Sequence, residues 1–138
     1  MKNYYYLFIC VLLMGSANIQ AQNTSVNEEQ SIATTKVEVY YFHNTRRCAT
    51  CQAVESVTKE TLEETYPEEM KNGEIIFQSM NIEDDENESL AKKFEISGQT
   101  LLFIKDGEKK DFTNDAFMYA RSNPEKFKKK IKQFIGDN

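Results

Sequence analysis

The stretch Val39–Glu55, VYYFHNTRRCATCQAVE, decides how this chain is read. The run into it, Val37–Phe42 (VEVYYF), is β-branched and aromatic and reads as a strand buried on both faces. From Cys48 the composition turns helix-favouring, CATCQAVESVTKETLEETY. Val54, Val57 and Leu62, with Thr58, Thr61 and Thr65 between them, give a half-apolar stripe at helical spacing. Pro67 stops or kinks that helix. The junction gathers the single histidine, His43, two of the three cysteines, Cys48 and Cys51, and the adjacent Arg46 and Arg47.

Downstream, Glu74–Ile82 (EIIFQSMNI) reads as a second strand of buried type, and ENESLAKKFEI as a short helix at best. In Thr100–Phe112, TLLFIKDGEKKDF, two runs flank Asp106-Gly107, a pair suited to the positive φ angles of a two-residue hairpin turn. NDAFMYAR suits one or two helical turns. The last segment, SNPEKFKKKIKQFI, is a helix with Asn123 as cap and Pro124 at its first position. Its inner face is Phe127, Ile131, Phe134 and Ile135, and its lysines form a solvated face. A helix joining the first two strands makes them parallel neighbours, and the hairpin adds an antiparallel edge. The expectation is an α/β domain with a mixed four-stranded sheet flanked by helices.

The chain opens on a cationic MKN, an apolar YYYLFICVLLMG and a small, polar SANIQA, the order of a secretory signal peptide cleaved after Ala21. The apolar run is shorter than the roughly 20 residues that cross a bilayer. Residues 1–21 are thus expected to leave, with Cys10 among them; residues 22–36 form a polar leader, and residues 37–138 the domain. No membrane span is expected after cleavage. Loss of Lys2 takes the net charge from −5 to −6, which argues against nucleic acid as a partner. An exported chain, periplasmic or secreted, meets conditions in which a Cys48–Cys51 disulfide persists.

Cysteines three apart at a helix start put the first thiol near unpaired N–H groups and the positive end of the helix dipole, so its pKa should fall. Cys48 is expected to be the exposed attacking thiolate and Cys51, one turn in, the resolving sulfur. Arg46 and Arg47 would push the pKa the same way, or simply be solvated charges. His43 is either a proton acceptor or donor for a cysteine sulfur or a neighbouring loop histidine. Two other readings of the pair stay open: capture of a soft ion such as trivalent arsenic or monovalent copper, and a static staple. Two sulfurs and one imidazole fall short of the four Cys or His ligands of a structural zinc site. No phosphate-binding glycine loop occurs, so no bound cofactor is expected.

The strand into CATC, the segment FQSMNIEDDENESLAKKFEISG and TLLFIKDGE occur in the order and spacing of the thioredoxin superfamily, which the chain resembles from Val37 to Ile135. The resemblance implies a thioredoxin-like fold and thiol–disulfide exchange with a protein or small-molecule disulfide or dithiol, served by a redox partner protein. It also implies that Gln99 and Thr100 stand in the substrate loop, facing the dithiol. Four departures stand out: Arg47 replaces the family's Trp, Ala49-Thr50 its Gly-Pro, Gln99 its cis-proline, and Tyr41 or Phe42 its buried acid. A non-proline cis bond costs roughly 2.5–4 kcal/mol, so the Gln99 peptide bond is expected to be trans. Potentials of related oxidoreductases span more than ~100 mV, so the motif leaves oxidant or reductant open. The aromatic strand, the histidine and RC-x-TC also resemble the ArsF family of nitrophenyl compound nitroreductase subunits, which implies an accessory redox role or a non-catalytic docking subunit. The protein is expected to act as a monomer.

Overall fold

Four strands form the sheet in the order β2-β1-β3-β4. In this computed structural model the described residues are 37–136; the segments expected to form a signal peptide and a leader lie outside them. In chain order come β1 (Val37–His43), α1 (Ala49–Thr65), α2 (Pro67–Asn72), β2 (Ile75–Asn81), a 3-10 turn (Asp85–Asn87) and α3 (Glu88–Lys93). Then follow β3 (Thr100–Lys105), β4 (Glu108–Asp111), α4 (Thr113–Tyr119) and α5 (Pro124–Gly136). β1 pairs with β2 in parallel, Val37 opposite Ile75 and His43 opposite Asn81, and with β3 antiparallel, Phe42 opposite Thr100. The expected α/β class and mixed four-stranded sheet are borne out. Among the described residues no helix is long and apolar enough to cross a membrane.

β1 is central and buried on both faces because its alternate side chains feed two cores. Val37, Val39 and Tyr41 meet Val54, Val57 and Leu62 of α1 and Phe127, Ile131 and Ile135 of α5. Tyr40 and Phe42 meet Met80, Ala91 and Leu102, with Phe94 and Ile96 packed alongside, under α3. Two threonines of the α1 stripe are buried without cost in unmet hydrogen bonds: Thr58 and Thr61 each donate to the carbonyl four residues back, both at 2.6 Å.

One local expectation is corrected and one extended. β2, expected from its composition to be of buried type, is an edge strand, and Gln78 and Ser79 on it are exposed. Pro67 does more than end α1, because a proline lacking N–H also suits the first position of a helix, and α2 starts there. The hairpin turn is as expected: Asp106 and Gly107 both take positive φ, 50° and 86°, and Lys105 faces Glu108. Asn123 caps α5 through its Oδ1, which accepts from the Lys126 N–H at 3.2 Å. No peptide bond among the described residues is cis.

Candidate active site

Cys48 is the N-cap of α1. Its backbone is extended, φ −85° and ψ 166°, and its Sγ accepts a hydrogen bond from the Cys51 N–H at 3.2 Å. A sulfur in that position meets the unpaired helix donors and the positive end of the dipole, so charge on it is stabilised. The two cysteines are bonded to each other, their Cα atoms 5.1 Å apart. Cys48 is exposed, whereas Cys51 is 2% exposed. An incoming molecule therefore reaches the first sulfur and not the second.

The helix end is anchored from below by Tyr41, whose wholly buried side chain donates its O–H to the Cys51 carbonyl at 3.0 Å. Burial raises the Tyr41 hydroxyl pKa; the Arg47 guanidinium, 5.6 Å from the ring centroid, works against that rise. Arg47 is in turn ion-paired with Glu55, one turn beyond Cys51 on α1. Burial pushes the Glu55 carboxyl up. Hydrogen bonds from Ser79 and Arg47 and the charges of Arg47 and His43 outweigh it, and hold the carboxyl below the usual range. Register explains the assembly: Tyr41 lies opposite Ser79, so both side chains share the sheet face beneath α1.

His43 ends β1 on that same face. Its Nδ1 is 2.9 Å from the Asn44 carbonyl oxygen, and its ring is tilted against Tyr41 with centroids 5.7 Å apart. A proton on Nδ1 serves that carbonyl, which leaves Nε2 as the ring nitrogen able to exchange a proton. Among the described residues no hydrogen bond joins His43 to either sulfur; its ring touches Tyr41, whose hydroxyl is bonded to the Cys51 carbonyl. Arg46 is exposed. Arg47 is turned to Glu55 and Tyr41, so its charge does not stand free beside Cys48. Antiparallel pairing brings the start of β3 to the dithiol end of the sheet. Thr100 sits opposite Phe42 and donates its Oγ1 to the Gly98 carbonyl at 3.1 Å. Gln99, one residue further out, keeps a buried Oε1 with no partner among the described residues.

Two contributors went unread in the sequence. Glu55 is four residues after Cys51, a spacing that puts both on one helix face, and that spacing was the available signal. Asn81 gave none. Its Nδ2 donates to Thr45 Oγ1 at 2.8 Å and to Asp84 Oδ1 at 2.9 Å, which ties the loop before Cys48 to the loop after β2. The Ile82 N–H adds a bond to the His43 carbonyl at 2.8 Å.

A central strand runs into an N-capping Cys-x-x-Cys, a parallel neighbour lies on one side, and an antiparallel hairpin on the other. The zinc-bound form of human ERp44 matches this arrangement with a TM-score of 0.54 at 16% identity, over 75% of this chain and 28% of that one. The chain has the thioredoxin fold. Also similar are thioredoxin O2 from Arabidopsis thaliana in its oxidized state, 26% identical over 55% of this chain and 60% of that one with a TM-score of 0.43, and Fasciola hepatica thioredoxin, 23% identical over 75% and 81% with a TM-score of 0.46. The chain thus spans less than two thirds of thioredoxin O2 and under a third of ERp44. No protein-family model and no curated protein sequence matches it. What a thioredoxin fold supplies here is the placement of the dithiol: at a helix end, just past the central strand, with Cys48 exposed and Cys51 buried.

Proposed function

We propose that this chain is an exported thiol–disulfide oxidoreductase serving as an accessory redox subunit. One observation carries the proposal: an exposed N-capping Cys48 bonded to a buried Cys51. In the reduced pair, the Cys48 thiolate attacks a sulfur of the target disulfide. That S–S bond breaks, its leaving sulfur takes a proton, and a mixed disulfide forms. The Cys51 thiol then loses its proton and attacks Cys48 Sγ, which expels the second target sulfur and closes the internal disulfide. Two electrons and two protons have passed to the target. The same steps in reverse oxidise a target dithiol, and a partner protein returns the pair to its starting state.

Export is supported by the order of charge, apolar run and small residues up to Ala21. The accessory role is supported by the resemblance of the RC-x-TC segment to nitroreductase subunits. Among the described residues there is no cluster of three or more His, Cys, Asp or Glu side chains that could hold a metal ion, so capture of a soft ion would rest on the two sulfurs alone.

The test is a disulfide-reduction assay with insulin, run beside trapping by Cys51→Ser. Turnover by the native chain, and a mixed disulfide that accumulates on Cys48 in the variant, are expected. Stoichiometric binding of arsenite or cuprous ion without turnover would replace this reading with ion capture.

A further inference from the structure

Arg47 immediately precedes the exposed sulfur, yet its guanidinium is directed along α1 to Glu55 and across the Tyr41 ring. Arg47 pairs with Glu55 from the loop before α1. Ser79, opposite Tyr41 on the sheet face beneath, and His43 at the end of β1 both favour the ionised carboxylate. Tyr41 supports the other side of the guanidinium while its hydroxyl is fixed to the Cys51 carbonyl. The Arg47 Nε is buried and has no acceptor among the described residues. The ion pair thus settles the guanidinium where one of its donors goes unmet, a geometry set by Glu55 and not by Arg47's own hydrogen-bonding needs.

We infer that Glu55 is a positioning residue for the dithiol: it parks the Arg47 cation away from Cys48, and so sets how much of the attacking sulfur is thiolate. The inference deepens the exchange reading and rests on it. With Glu55 in place, Arg47 and Glu55 present the cysteine with a nearly neutral pair. Once released, the guanidinium, on a long flexible stem one residue away, swings to the exposed sulfur and stabilises its anion. The reduced form is stabilised with it, so the pair becomes a stronger oxidant.

Glu55 could instead act only through its own negative charge, and coupling separates the two cases. Charges that stay in place add, whereas a group that moves another makes the effects non-additive. The experiment is the pH dependence of the Cys48 alkylation rate in the reduced full chain, for the native sequence, E55Q, R47Q and the double variant. The redox equilibrium with glutathione is measured alongside. In E55Q the apparent pKa should fall by about half a unit or more, roughly a threefold rise in the thiolate-to-thiol ratio. The equilibrium constant should move about threefold toward the dithiol, ~14 mV. In the R47Q background the same change at Glu55 should do less than half as much. Equal shifts in both backgrounds, or no shift in either, overturn the inference.

E55D is the second variant. It keeps the charge and withdraws the carboxylate by one methylene, so a lowered Cys48 pKa supports positioning and an unchanged one overturns it, even if E55Q does not fold. All of these readouts are thiol titrations, so they stand or fall separately from turnover in the insulin assay, on which the functional reading depends.

Discussion

The two faces of β1 are built for different ends. Under α3, Tyr40, Phe42, Met80, Ala91 and Leu102 make a core with Phe94 and Ile96 alongside. Its polar atoms stay at the rim, as where Tyr40 donates to Glu38 at 3.0 Å. Under α1 the core is as apolar near Val37 and Val39, but toward the C-terminal end of the strand it turns polar: Tyr41, then His43, with Arg47, Glu55 and Ser79 over them. One strand thus supplies packing on one side and the footing of the dithiol on the other. Side chains on the α3 face should therefore govern stability alone, and those under α1 should govern stability and sulfur chemistry together.

The sharpest attempt to break that division is Leu102→Ala on the α3 face. Removing a buried leucine side chain costs about 2–5 kcal/mol, read as a lowered denaturant midpoint. The Cys48 alkylation profile of the folded fraction should stay as in the native chain. A displaced profile would show that the two faces are not separable. Reduction of the disulfide is expected to matter less. The loop it closes is so short that the chain-entropy relation gives about 2 kcal/mol at most. Oxidised and reduced forms should therefore unfold from the same fold at neighbouring midpoints; loss of the fold on reduction would make the bond a staple.

Tyr41→Phe comes next in size. It deletes the hydroxyl bonded to the Cys51 carbonyl and leaves the ring, so the net loss should be about 1 kcal/mol. Unlike Leu102→Ala, it should also change the rate at which Cys51 resolves a mixed disulfide, measured by rapid quench, because the α1 end loses its anchor. An unaltered resolution rate with the same loss of stability would reduce Tyr41 to a packing residue.

The legible parts of the fold were those written in local chemistry. The β-branched and aromatic run of β1, the Asp106-Gly107 turn and the Asn123-Pro124 start of α5 each carry their own backbone instruction. The order of β2 in the sheet does not, since an edge strand with an apolar start resembles a central one until its neighbours are known. The site divides in the same way. The dithiol and its helix end are contiguous in sequence, so Cys48 as cap and Cys51 as inner sulfur could be read directly. The partner of Arg47 could not: α1 carries four glutamates, Glu55, Glu60, Glu63 and Glu64, and only the pairing of Tyr41 with Ser79 shows which of them lies over the sheet. Asn81 is bound to Thr45 from 36 residues away, and no local pattern marks such a contact.

The smallest expected effect concerns acid. Hydrogen bonds and the Arg47 and His43 charges outweigh burial and leave the Glu55 carboxyl below its ordinary value in the folded chain. A carboxyl that binds protons less readily when folded favours the folded state above its unfolded pKa of about 4.3, and that contribution is lost as pH falls through the lower folded value. On the polar face, then, part of the stability should disappear between mildly acidic and strongly acidic solution, while the α3 face contributes the same at both. Denaturant midpoints of the native chain and E55Q, compared from pH 7 downward, should differ most at neutral pH and converge on acidification. A gap that stays constant would mean that Glu55 supports the helix end through shape and hydrogen bonding alone. Its charge would then be irrelevant to stability, and the contrast between the two faces would lie in the sulfur chemistry only.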